Sequence, residues 1–139
     1  MRSRQGAPLR QINHLRQAMG ALMAAYFDDR IELHPYEQPL CVRVGTRVIG
    51  RTNMALRLSE RGYADRFYLP WQAIEAGVLQ RSHKQTHCPY KGDTCYYHVV
   101  VDGACYTDAG WVYPQPRPEM AAIAGRIAFD HPQLVIEPA

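Results

Sequence analysis

The chain has little of what would name a function outright. Its four cysteines, at positions 41, 88, 95 and 105, contain no CxxC pair. That removes the sequence evidence for a zinc ribbon or a thioredoxin-like redox centre, and the cysteines read as reduced thiols of a cytoplasmic protein. Charge of one sign is also scarce. A net charge of +3 is too small to argue for nucleic acid or a membrane surface, so neither is expected as a partner. There is no long hydrophobic run. The apolar stretch from Ala18 to Phe27 follows Arg2, Arg4, Arg10 and Arg16 and imitates a secretory signal, but about ten residues do not span a bilayer. Leu9, Ile12, Leu15, Met19, Leu22, Met23 and Tyr26 recur instead at helical spacing, which predicts an amphipathic helix. Repeats, low-complexity tracts and long linkers are absent too, so the 139 residues read as one domain large enough to bury a core.

What is present is mostly strand. Ile31 to His34 and Cys41 to Val44 alternate with period two, as half-buried strands do. Gly45-Thr46 supplies a two-residue turn before Arg47-Val48-Ile49. A short helical piece is expected from Asn53 to Glu60, a strand over Phe67 to Leu69, and a single helical turn over Pro70 to Ala76. Asp102-Gly103 predicts a type I′ hairpin between Tyr96–Val101 and Ala104–Thr107. Its register would set Val101 opposite Ala104, Val100 opposite Cys105, Val99 opposite Tyr106 and His98 opposite Thr107. The face holding Tyr97, Val99, Val101, Ala104 and Tyr106 is the better core candidate. Pro114 to Pro118 leads into a helix from Glu119 to about Ile127, and Leu134 to Ile136 would close the sheet.

The densest chemistry lies in Thr86-His87-Cys88-Pro89-Tyr90-Lys91-Gly92-Asp93, read as a loop feeding the hairpin. Cys88 is a candidate nucleophile, because a thiolate is the strongest one available and His87 and Lys91 are cationic neighbours of the kind that favour it. A buried structural thiol is the competing reading. Gly92 permits a tight turn that would bring Lys91 and Asp93 into one cleft, to hold a carboxylate, phosphate or carbonyl; a surface ion pair is the alternative. Trp111 and Tyr113 share a face at period two and suit either a flat ligand or the core. Thr86, Tyr90 and Tyr96 complete the candidate ligand contacts. His83, His87, Cys88, His98 and Asp93 include zinc-ligand types, but nothing fixes their spacing, and neither a metal nor a cofactor is expected. Arg47, Arg51, Arg57, Arg61 and Arg66, interspersed with Glu60 and Asp65, read as a solvated mixed surface.

These residues carry a resemblance. The Thr86–Asp93 octapeptide, Trp111-Val112-Tyr113-Pro114 and Ala121-Ala122-Ile123-Ala124-Gly125 resemble the signature of domain-of-unknown-function family 427. Val42 to Val48, Ala55-Leu56-Arg57, Gly62-Tyr63 and Tyr68-Leu69-Pro70 agree as well. That family is similar in fold to the β-tent proteins, which include the B-type methionine sulfoxide reductases. The resemblance, which covers about residues 31 to 137, implies a mainly β (α+β) domain with compact antiparallel sheets, short helices and a pocket between the sheets. The domain is set at residues 30–139, and the helical extension read over residues 1–29 lies outside the resemblance. The paired CxxC motifs that hold zinc in β-tent relatives are missing here. So is Gly-Ser followed by a spaced Asp-x-Asp, which a nucleotidyltransferase would need to hold two metal ions.

The expectation is therefore a domain that binds a polar small molecule around Thr86 to Asp93. Where it is an enzyme, Lys91 and Asp93 would orient the substrate, His87 would move a proton and Cys88 would be the reserve nucleophile. Two further readings stay open: a non-catalytic module forming a homo-oligomer through its N-terminal helix, and thiol redox chemistry at Cys88.

Overall fold

Alternation along the chain decides the fold, because residues of opposite parity feed two separate cores. The computed structural model describes residues 30–139; the helical extension read over residues 1–29 lies outside the described residues. The strands are β1 (Ile31–Tyr36), β2 (Leu40–Val44), β3 (Arg47–Thr52), β4 (Ala55–Glu60), β5 (Arg66–Pro70), β6 (Leu79–Cys88), β7 (Gly92–Val101), β8 (Ala104–Val112), β9 (Arg126–Phe129) and β10 (Leu134–Pro138). They form a seven-stranded sheet in the order β1-β4-β5-β9-β8-β7-β6 and a three-stranded sheet in the order β10-β2-β3, paired antiparallel throughout. The domain is mainly β, and beyond the helical residue Arg30 its described helical content is the short 3-10 turns Trp71–Ala73 and Pro118–Ile123.

Leu69, Val99, Ile127 and Phe129 of the large sheet pack with Val42 and Ile49 of the small one, and Leu134 and Ile136 close over them. Their neighbours of opposite parity, Tyr68 and Ala128, belong to a second core with Leu33, Leu58, Tyr113 and Ile123. No residue of the small sheet enters that second core. Each fully buried aliphatic here is worth about 2–5 kcal/mol against truncation to alanine, so both faces of the large sheet are strongly specified.

Several expectations are corrected. Residues Asn53 to Glu60 do not make a helical piece: Ala55–Glu60 is strand β4, with Leu58 opposite Leu33 of β1 and Leu56 opposite Tyr68 of β5. Pairing on both edges overrides the local helix preference of Ala-Leu-Arg-Leu. The helix expected from Glu119 to Ile127 stops at Ile123, and Gly125 at φ 74 then turns the chain into β9. Met120 and Ile123 are buried as the pattern required. Ile127 belongs instead to the strand between β5 and β8.

The Asp102-Gly103 hairpin forms with φ of 51 and 82, and Val101, Val100 and Val99 pair with Ala104, Cys105 and Tyr106. The expected His98–Thr107 pairing fails, because a bulge between Tyr97 and Val99 shifts the register so that Tyr97 faces Gly110. Asp108 sits at φ 51 in that irregularity. Its backbone N–H donates to His98 Nδ1 at 3.0 Å, and its carboxylate accepts from the Ser82 hydroxyl. Asp108 thus ties the bulge to His98 of β7 and to Ser82 of β6.

Candidate functional site

The octapeptide Thr86–Asp93 is not a loop. Thr86, His87 and Cys88 end β6, Gly92 and Asp93 begin β7, and only Pro89, Tyr90 and Lys91 turn between them. Pairing sets Thr86 opposite Thr94, His87 opposite Asp93, and Cys88 opposite Gly92. Side chains alternate between the two faces of this hairpin, which sorts the reactive groups. Lys84, Thr86, Cys88, Thr94 and Tyr96 face a cavity of about 480 Å³. His87 and Asp93 pair on the opposite face, Nδ1 to Oδ1 at 2.7 Å, with side chains 67% and 85% exposed.

Every wall of the cavity comes from the large sheet and its turns: Leu58 and Glu60 of β4, Arg66 and Tyr68 of β5, Asp108 and Trp111 of β8, and Lys91, Tyr113 and Asp130 at their ends. This cavity lies on the face of the large sheet away from the small one, not between the two sheets. Four strand spacings separate β4 from β7, about 19 Å in a flat sheet. Lys91 Nζ nevertheless reaches Glu60 Oε1 at 2.7 Å. The sheet curls far enough to bring its halves together, and the cavity is the hollow of that curl.

The Lys91–Glu60 pair is the electrostatic centre of the hollow, with both side chains 10% exposed. Arg30 Nε lies 3.6 Å from the other Glu60 oxygen, and its guanidinium stacks on Tyr90 at 4.4 Å. Burial alone would push the Lys91 ammonium down. The Glu60 hydrogen bond, with smaller electrostatic help from Tyr113, Cys88 and Glu60, more than offsets that and holds it above its ordinary value. Lys91 is therefore charged at neutral pH. The expected pairing of Lys91 with Asp93 is corrected accordingly: alternation sends Asp93 outward to His87.

Two phenols line the same wall. Burial pushes Tyr113 up, and a hydrogen bond with Thr94 and the charge on Lys91 reclaim part of the shift. Burial likewise drives Tyr68 far above the usual phenol range, with Trp111 Nε1–H donating to its Oη at 3.2 Å. Both stay neutral donors in the physiological range. Thr86 Oγ1 and Tyr96 Oη lie 3.1 Å apart, and the Tyr96 ring is 6.2 Å from Trp111.

The proline-rich segment lies over the hairpin tip. Arg117 N–H donates to the Lys91 carbonyl at 3.0 Å, and a Cβ on Gly92, whose φ is 115, would meet the Gln115 carbonyl at 3.1 Å. Gly92 is needed both for its positive φ and for this crossing. That contact fixes where Lys91 enters the hollow.

Of the sequence-derived candidates, the curl brings together Thr86, Cys88, Lys91, Tyr96, Trp111 and Tyr113. His87 and Asp93 lie on the outer face, and Tyr90 packs against the second core. Sequence reasoning missed Glu60, Arg66, Tyr68 and Asp130. Glu60 and Arg66 sit in the mixed-charge stretch read as surface, and only the parity of β4 and β5 against buried Leu58 and Tyr68 would have turned them inward. Cys95 shares the outer face with its partner Gln85, so it does not face Cys88. Among the described residues no three His, Cys, Asp or Glu side chains gather as metal ligands, and no helix is long and apolar enough to cross a membrane.

A search of curated proteins found no match to this chain. The model of the family described as domain of unknown function DUF427 matches residues 32–137, most of the chain, and the protein belongs to that family.

Proposed function

We propose that this domain binds a polar small molecule in the hollow of its large sheet, with Lys91 as the main polar anchor and Thr86, Tyr96, Trp111 and Tyr113 around it. The observation carrying this reading is the Lys91–Glu60 pair, 2.7 Å apart with both side chains 10% exposed at a cavity wall. Burying two charges costs several kcal/mol of desolvation per ion, roughly, and the pair is often replaceable by apolar residues without loss of stability. Its placement beside a hollow therefore favours a role in recognition. One Lys91 donor goes to Glu60, which leaves the others for a carbonyl, carboxylate or phosphate oxygen.

Any chemistry at this site falls to Lys91 and Tyr113 as donors polarising the bound molecule and to Cys88 as nucleophile, because the outward His87 and Asp93 do not reach it. Two antiparallel sheets packed through a shared core support the β-tent likeness.

Native mass spectrometry of the freshly purified chain beside its denatured mass tests the reading, with the double variant Lys91→Met, Glu60→Gln as comparison. Removing both charges together leaves no lone ion buried. A non-covalent adduct on the parent chain that is lost in the double variant is expected. Parent chain that is bare, and whose melting temperature no small carboxylate, amide or phosphate raises, would overturn the proposal.

A further inference from the structure

The hollow is lined by three carboxylates, Glu60, Asp108 and Asp130, and three cations, Arg66, Lys84 and Lys91, but they are not paired one to one. Glu60 is taken by Lys91 at 2.7 Å and approached by Arg30 at 3.6 Å. Asp130 accepts from Arg66 at 2.8 Å, and Asp108 accepts from Ser82. Lys91 and Arg66 are thus each neutralised by a carboxylate. Lys84 is different. Among the described residues its ammonium has no carboxylate partner, and it lies over the Tyr96 ring, 4.5 Å from the centroid. A ring quadrupole positions a cation without cancelling its charge. Lys84 is therefore held on the cavity wall with its charge available to an incoming anion.

A second feature of the rim points the same way. Tyr63 is 66% exposed, yet it lines the cavity. Its place is set by the turn between β4 and β5, where its N–H donates to the Glu60 carbonyl at 3.0 Å after Gly62 at φ 88. A lone exposed aromatic is ordinary on a protein surface. At the mouth of a hollow whose wall also carries Lys84, a cation without an ion-pair partner among the described residues, it offers a flat apolar surface for a ligand's body.

We propose that the ligand of this hollow is an organic anion with a flat apolar body, its carboxylate or phosphate on the Lys84 ammonium and its body against Tyr63. The proposal rests on reading the hollow as a binding site and names the class of molecule it takes. The acid group supplies the charge that Lys84 lacks, and the body covers the Tyr63 ring.

Titrations of the full chain followed by NMR chemical shifts of cavity residues test this, with 2-naphthoate, 2-naphthyl phosphate and the neutral 2-naphthamide as probes. At least one anion should bind about tenfold or more tightly than the amide, and which of the two binds tighter distinguishes carboxylate from phosphate. Lys84→Met should erase the preference while leaving amide binding in place. Tyr63→Ala should weaken both anions by roughly fivefold. Both side chains are exposed, so an unchanged melting temperature shows that the variants are folded. Equal affinity for amide and anions, or a preference that survives Lys84→Met, overturns the ligand class and leaves the binding site standing. Failure of all three probes to shift any cavity residue overturns both.

Discussion

Two side-chain pairs of equal length start from one hairpin, one reaching across the sheet to β4 and one closing on the hairpin itself, and they have little else in common. Lys91–Glu60 and His87–Asp93 are each 2.7 Å apart. The first joins side chains 10% exposed, the second side chains 67% and 85% exposed. Distance sets the attraction only once the surrounding dielectric is known, and water screens the outer pair to about 1 kcal/mol or less. The inner pair is costly to break because the surviving charge stays buried. Lys91, His87 and Asp93, neighbours in one octapeptide, therefore divide into a site and a surface.

The largest effect that sharpens this contrast should come from Lys91→Met alone, which leaves Glu60 buried against Arg30 only. Urea unfolding should show a loss of about 3–5 kcal/mol, and a loss below about 1 kcal/mol would place Lys91 with the exposed pair. Gly92→Ala should follow at roughly 2 kcal/mol by the same assay, since the residue is at φ 115 and the new methyl meets the Gln115 carbonyl at 3.1 Å. Tyr68→Phe removes the acceptor of the Trp111 indole N–H and should cost about 1–2 kcal/mol.

The pH response separates the two pairs as well. Lys91, Tyr68 and Tyr113 all hold their protons more tightly folded than at their ordinary values of 10.5, 10.0 and 10.0. Above about pH 10 the folded chain then binds more protons than the unfolded one, so stability is full below that pH and falls as pH rises through the folded values. Urea midpoints measured between pH 8 and 11 should fall in this window, less steeply in Lys91→Met and unchanged in slope in His87→Ala. The smallest effect should be that of His87→Ala or Asp93→Ala at neutral pH, under about 1 kcal/mol. A larger loss from either would mean that the outer pair does more than decorate the surface.

Much of the fold was legible because it is local. The Asp102-Gly103 turn, the period-two runs of β1 and β2 and the closing strand at Leu134–Ile136 carry their own signals in neighbouring residues. What was misread depended on partners distant in sequence. Ala55–Glu60 is helix-like by propensity and a strand only because β1 and β5 flank it. Ile127 continued a helical stripe and was drawn instead into the middle of the sheet by β5 and β8. The site divided in the same way. Thr86, Cys88, Lys91, Tyr96, Trp111 and Tyr113 were legible as reactive or aromatic types clustered along the chain. Glu60, Arg66 and Tyr68 join them only across the sheet.

The sequence by itself determined a mainly β domain, the family it belongs to, and the octapeptide in which its reactive groups are concentrated, since residue type, period and turn chemistry are all properties of adjacent residues. Only the tertiary structure decided which of those groups share a cavity. That choice rests on the two-residue alternation of β6 and β7, which parts Cys88 from His87, and on the curl of one sheet, which joins Lys91 to a Glu60 lying 31 residues away. No local pattern encodes how far a sheet bends.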